Sequence, residues 1–198
     1  VKYSSDAGVT WTTFDDGTSV SASATVTGLT NGTAYVFQVS AVNEAGTGVA
    51  SASSASVTPY TTPAAATGVA GVAGDSQVAL SWTAGGTGGS VVTDWVVEYS
   101  SDAGVSWTTF DDGTSVSESA TVTELTNGTA YVFQVSAVNE AGTGVASASS
   151  ASVTPYAKPD AAPSVKASPE NSGAVVSWTA PAANGSPITG YTVTATPG

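Results

Sequence analysis

The side chains able to do chemistry in this sequence are almost all carboxylates. Its 198 residues carry 15 Asp and Glu against three basic residues, all lysine (Lys2, Lys158 and Lys166), with no His, Cys, Met or Arg. Histidine- or cysteine-held zinc, Ser-His-Asp hydrolysis, cysteine nucleophiles and haem ligation each need a side chain that is absent. Disulfides are excluded too. A net charge of −12 cannot displace counterions from phosphates, so nucleic acid is not an expected partner.

Oxygen chemistry remains. Asp15-Asp16 and Asp111-Asp112 each lie in a Phe-Asp-Asp-Gly-Thr segment, and Ca²⁺ seeks carboxylate and carbonyl oxygens, with Glu44 and Glu140 as the nearest helpers. A calcium cage takes about six oxygens or more, and no Asp-x-Asp-x-Asp array is present. Asp and Gly also end strands in turns, so the turn reading is preferred and neither metal nor cofactor is expected. Acids ~5–10 Å apart would suit glycoside hydrolysis, but this many acids supply such pairs anywhere, and no catalytic residue is assigned. Asn31-Gly32-Thr33, Asn127-Gly128-Thr129 and Asn184-Gly185-Ser186 match the N-glycosylation sequon. Asn-Gly is also what a tight turn demands, and Pro187 follows the third. Trp11, Phe14, Trp107 and Phe110 could form an aromatic row for a glycan or a protein, although alternation turns Trp107 inward.

These residues are positioned by a repeat. Residues 1–60 and 97–156 match at every position but four: Lys2 against Glu98, Thr10 against Ser106, Ala22 against Glu118 and Gly28 against Glu124. Tyr3 to Tyr99 sets the offset at 96 residues, and the same offset puts Trp82 on Trp178, Pro63 on Pro159 and Val69 on Val165. Such a period is too long for a solenoid repeat and suits a β-sandwich domain. Because Glu118 and Glu124 have no acidic counterpart, they read as solvent-facing variation. Replacement of Lys2 by Glu98 likewise disfavours a Lys–Asn cross-link.

Thr58-Pro59-Tyr60-Thr61-Thr62-Pro63 and Thr154-Pro155-Tyr156-Ala157-Lys158-Pro159 read as short, stiff linkers. Between them, period-2 patterning recurs: Val78-x-Leu80-x-Trp82, Trp95-x-Val97-x-Tyr99, Val105-x-Trp107 running on to Phe110, Ala120-x-Val122, and Tyr131-x-Phe133-x-Val135-x-Ala137. Val145 to Val153 is expected to return as an edge strand of small residues. Seven short strands without helical periodicity indicate an all-β, antiparallel sandwich. A hydrophobic share of 41% allows a core, while only 9% charge leaves Ser, Thr, Gly and Asn to cover the surface. No run reaches the ~20 apolar residues of a membrane span.

At these residues the unit resembles a fibronectin type III domain. The family pattern has a Trp in the second strand (Trp82, Trp178), an aromatic in the third (Trp95, Tyr191), and a Leu six residues before a Tyr. That last pair is present as Leu29 and Tyr35, and as Leu125 and Tyr131, around a Thr-Asn-Gly-Thr turn. The resemblance implies tandem antiparallel β-sandwiches of immunoglobulin-like topology, with Tyr35 and Tyr131 as the tyrosine corner. It implies a non-enzymatic module, commonly extracellular, used as spacer, adhesive surface or partner-binding face.

The units then run 1–60 (the C-terminal half of a domain), 61–156 (a complete domain) and 157–198 (the N-terminal half of another). Tyr35, Phe37 and Val39 at one end, and Val176, Trp178 and Tyr191 at the other, would meet water. The chain is therefore expected to be a window on a longer tandem array, or else a permuted subunit completed by its neighbour. Either way the expected partners are neighbouring copies or repeats of itself, head to tail. The expected function is a non-enzymatic extracellular or cell-surface fibre, stalk or filament, with the lack of Cys favouring a bacterial surface. The alternatives are an adhesive module for a glycan or protein partner, and a spacer of a secreted polysaccharide hydrolase.

Overall fold

Alternation is strongest where a strand is covered on one face only. Val78, Leu80 and Trp82 are buried while Ala79, Ser81 and Thr83 are exposed, so the strand has one core face and one wet face. The computed structural model describes residues 1–196, and among them there is no helix.

Residues 1–60 hold β1 (Lys2–Ser4), β2 (Thr12–Thr13), β3 (Val36–Gln38), β4 (Val42–Asn43) and β5 (Gly46–Thr47). Residues 61–156 hold β6 (Thr67–Ala73), β7 (Val78–Thr83), β8 (Asp94–Ser100), β9 (Thr108–Phe110), β10 (Ser119–Val122), β11 (Val132–Asn139) and β12 (Gly142–Thr143). β13 (Lys166–Glu170) and β14 (Gly173–Ser177) follow as a hairpin.

In the middle segment, a three-stranded sheet (β10-β7-β6) faces a four-stranded one (β12-β11-β8-β9), and all pairs are antiparallel. The core between them takes Val78, Leu80 and Trp82 from one sheet and Trp95, Val97, Phe133 and Val135 from the other. Val78, Val97, Phe133 and Val135 are wholly inaccessible to solvent. Trp82 and Trp95 meet edge to face with ring centroids 5.3 Å apart, and neither indole N–H finds an acceptor.

The tyrosine corner forms as the resemblance implies. The Thr126 N–H donates to the Tyr131 hydroxyl at 3.1 Å, and Thr30 N–H to Tyr35 at 3.0 Å. This ties the Asn-Gly turn to the strand that follows it.

Two strand expectations need correction. Val105 is exposed, and strand β9 begins only at Thr108, because the preceding loop is closed by its own hydrogen bonds rather than by a neighbouring strand. The segment 145–153 is not a regular edge strand either. Gly144, Ser147, Ser150 and Val153 donate their N–H groups to the carbonyls of Ala137, Val135, Phe133 and Tyr131. One side therefore advances three residues for every two on the other. The unmatched β11 donors are taken up by hydroxyls: Val135 N–H bonds to Ser147 Oγ and Phe133 N–H to Ser150 Oγ, both at 3.1 Å. Residues 48–57 repeat the device through Ser51 and Ser54.

The same sequence does not fold the same way in both places. Ser119–Val122 forms β10 against β7, whereas the identical Ser23–Val26 forms no strand. β11 runs for eight residues, but its copy β3 for three. Ser150→Ala is expected to leave the Phe133 N–H buried without an acceptor and cost about 1–3 kcal/mol. Urea unfolding followed by tryptophan fluorescence would show the lower midpoint, while Ser152→Ala, which leaves the ladder intact, should change nothing.

Candidate functional site

The Ser-Asp-Ala-Gly loops are closed structures. Asp102 accepts hydrogen bonds from the Ser100 and Ser106 hydroxyls, both at 2.6 Å, and from the Val105 and Ser106 N–H groups. Asp6 does the same with Ser4, Thr10 and Val9. The hydroxyl donors, first Ser4 and then Thr10, hold the Asp6 carboxyl down to about 2, and the Ser100 and Ser106 donors depress Asp102 still further. With their lone pairs engaged, these carboxylates serve the loop and have little left for a ligand. The spacing Ser-x-Asp-x-Gly marks this loop in both copies, as Ser4, Asp6 and Gly8 and as Ser100, Asp102 and Gly104.

Asp15 and Asp111 cap their own turns through the N–H groups of Gly17 and Gly113. Asp112 is shifted upward, first by partial burial and then by the carboxylates of Asp94 and Asp111. Among the described residues, no three carboxylates are grouped to hold a cation, and Glu44 and Glu140 are exposed. Glu118 is used structurally, its carboxylate accepting Ala84 N–H at 3.1 Å. Glu124 sits at φ +62° where the other copy has Gly28.

The aromatic row is partly exposed: Trp11, Phe14, Trp107 and Phe110 each keep some surface in solvent. The Trp11 indole N–H donates to Gly8 O at 3.1 Å. Trp107 lies over Gly104 in the same way; it is half-buried against its own loop and absent from the core, contrary to the inward placement expected from alternation. Phe110 packs partly against the core.

What the structure does assemble is a junction. Gly32 N–H, in the Asn-Gly turn of the first segment, donates to Pro59 O at 2.9 Å. Thr61 N–H donates to Gly88 O, and Ala64 N–H to Gly86 O, each at 2.8 Å. The Asn139 amide, reaching across from the end of β11, donates to both Thr61 O and Thr87 O at 2.8 Å. The linker is thus bonded on both sides, to the turn before it and to the loops after it. Gly89 shows how close the approach is: a Cβ there would come within 3 Å of Gly32 N and Pro59 O.

The second junction repeats the first at the offset of the sequence repeat. Gly128 N–H donates to Pro155 O at 2.9 Å, Ala157 N–H to Asn184 O at 2.8 Å, and Asp160 N–H to Ala182 O at 3.2 Å. A Cβ on Gly185 would lie 2.6 Å from both Gly128 N and Pro155 O. Two sequon asparagines are engaged here. Asn127 bonds Ser76 N–H and Asp75, and the Asn184 amide donates to Lys158 O and Asp160. Their side-chain nitrogens are occupied by the fold, as the turn reading anticipates.

Comparison with known proteins agrees with the sandwich. The family model described as fibronectin type III domain matches residues 1–57 and 64–153. The chain is 34% identical to Myomesin-2 of Homo sapiens over 142 residues, covering 68% of this chain and 10% of that protein. It is also 34% identical to Receptor-type tyrosine-protein phosphatase eta of Gallus gallus over 171 residues, covering 85% of this chain and 11% of that protein. The chain therefore spans about a tenth of the length of these curated relatives. Among solved structures, domains A168–A170 from titin align with a TM-score of 0.47 at 27% identity, covering 62% of this chain and 40% of that one.

Two outcomes are expected. Since the folded pKa of Asp6 lies below its ordinary value of 3.8, its contribution is complete above that value and is lost as pH falls toward about 2. Trp11 emission should change in that acid window and Trp107 emission at lower pH still, and Asp6→Asn with Asp102→Asn should abolish both changes. At the junction, Gly89→Val should force Gly32 and Pro59 apart, raising exchange of the Gly32 and Thr61 amides at least about tenfold. Exchange of the β11 amides should stay as it was.

Proposed function

Because the chain belongs to the fibronectin type III family, we propose that it is a structural module whose working part is the bonded junction between consecutive sandwiches. Domains of this family are as a rule non-catalytic, and Asp6, Asp15, Asp102 and Asp111 are taken up in their own turns and loops. The reading treats 61–156 as one complete unit, and 1–60 and 157–198 as parts of others.

The observation that carries the proposal is the recurrence of one set of backbone contacts at both junctions: Gly32 with Pro59 and Gly89, then Gly128 with Pro155 and Gly185. A single repeated contact set implies a single repeated step between units, which is what a rod or spacer of defined stiffness requires. Net negative charge on every rod would keep neighbours apart and soluble.

A cell-surface or extracellular setting is supported by the likeness to a receptor-type protein. Lack of cysteine is the support for a bacterial surface, while the two relatives named above are animal proteins. The adhesive alternative would rest on Trp11, Phe14, Trp107 and Phe110, each of which keeps part of its surface in solvent.

Small-angle scattering of the chain at low concentration tests the rod. An elongated particle fitted by one conformation, and loosened by Gly89→Val, is the expected result. Scattering that needs a broad range of inter-unit angles in the unaltered chain would overturn the proposal.

A further inference from the structure

We propose that Asn31-Gly32 and Asn127-Gly128 are self-modification sites, each losing ammonia once its junction opens and held back while that junction is closed. It draws on the junction contacts alone and does not depend on the chain being a rod.

The turns need the same pair of residues that makes them labile. Thr33 N–H donates to Thr30 O, and Thr129 N–H to Thr126 O, each at 3.2 Å, so each Asn-Gly is the centre of a four-residue turn. Gly32 and Gly128 take φ of +80° and +85°, a region that glycine enters without strain. A bare glycine also leaves its nitrogen unobstructed toward the preceding side chain, where asparagine is thermally labile.

The chemistry balances with water as the only co-reactant. Gly32 N gives its proton to hydroxide and attacks Asn31 Cγ. The Cγ–Nδ2 bond breaks, Nδ2 leaves as ammonia, and a five-membered succinimide remains. Water then opens that ring at one of its two carbonyls, giving aspartate or isoaspartate. Gly128 N and Asn127 Cγ stand in the same relation.

Both junctions block the first step at the attacking atom. Gly32 N–H is held by Pro59 O and Gly128 N–H by Pro155 O, each at 2.9 Å, so the proton that must leave is already engaged. A glycine from the following segment lies over each turn: a Cβ on Gly32 would stand 3.2 Å from Gly89 Cα, and one on Gly128 3.4 Å from Gly185 Cα. Turning either peptide toward Cγ breaks its bond to proline, the bond that joins the two segments. At Asn127 the side chain is gripped as well. Its Oδ1 accepts Ser76 N–H at 2.9 Å and its Nδ2 donates to Asp75 Oδ1 at 2.8 Å, so the departing nitrogen is itself bonded.

Conversion makes an opened junction permanent. Aspartate in place of Asn127 sets a carboxylate against Asp75 where an amide donor stands now, and like charges that close repel. Isoaspartate routes the main chain through the side-chain carbon and lengthens the turn. Gly32 N–H and Gly128 N–H are then carried away from Pro59 O and Pro155 O.

Mass-spectrometric peptide mapping of the whole chain, held at mildly alkaline pH with and without urea, tests this. Asn31 and Asn127 should convert at least about tenfold more slowly in the folded chain. Gly89→Val should speed Asn31 alone, and Gly185→Val Asn127 alone, each at least about tenfold. In each variant the untouched junction is the control, and β11 amide exchange reports that the sandwich is folded. Should a valine variant lose β11 protection, alanine at the same glycine replaces it. Aged chain, separated by its added negative charge, should exchange its Thr61 or Ala157 amide faster than fresh chain. Equal rates with and without urea, or variants that speed both sites or neither while β11 stays protected, would overturn the inference. Conversion as expected in a chain that scatters as a flexible particle would remove the rod reading and leave this one standing.

Discussion

The seam between the two sheets is the constraint on which the other features depend. Phe133 and Val135 lose all contact with water only because β7 supplies Val78, Leu80 and Trp82 across from them. Burying each such side chain contributes about 1.5–3 kcal/mol, enough for a few of them to decide whether a strand persists. β11 runs for eight residues where β8 pairs with it from Asp94 to Ser100, and β3 for the three that Lys2–Ser4 pair with. The turns, the tyrosine corner and the Ser-Asp-Ala-Gly loops close in both places, because their hydrogen bonds are local and ask nothing of the opposite sheet.

The junctions extend that logic from packing to hydrogen bonding. The linkers bury Pro63 and Pro155, and their position is fixed as well by backbone donors and acceptors and by two amides, Asn139 and Asn184. Gly89 and Gly185 permit backbone to meet backbone directly. Any larger residue would replace that contact with a gap and free the hinge. A fold that is non-catalytic as a rule can in this way carry its role in the step from one sandwich to the next.

Parts of this arrangement were legible beforehand. Period-2 alternation located β7, β8 and β11, and the Leu-to-Tyr spacing located the corner, because both follow from strand geometry and one short turn. The three-for-two ladder lies outside period-2 alternation, which pairs residues one for one. Its signal lies in Gly144, Ser147, Ser150 and Val153, which recur every third residue. Trp107 departs from alternation for a related reason: the Asp102 hydrogen bonds hold the loop before it out of any strand, and β9 begins only at Thr108. The junction contacts of Asn139 join residues far apart in the chain, and no local pattern marks them.

Sequence by itself determined the all-β sandwich, the repeat of 96 residues, the turns, and the exclusion of His- and Cys-based chemistry. Each of these depends on residue type and near neighbours. Only the tertiary structure decided which copy of a repeated segment becomes a strand. Ser23–Val26 and Ser119–Val122 are the same four residues, yet the second pair with β7 and the first pair with nothing. A strand takes its hydrogen bonds and half its cover from residues distant in sequence, so its own residues are not sufficient to make it one.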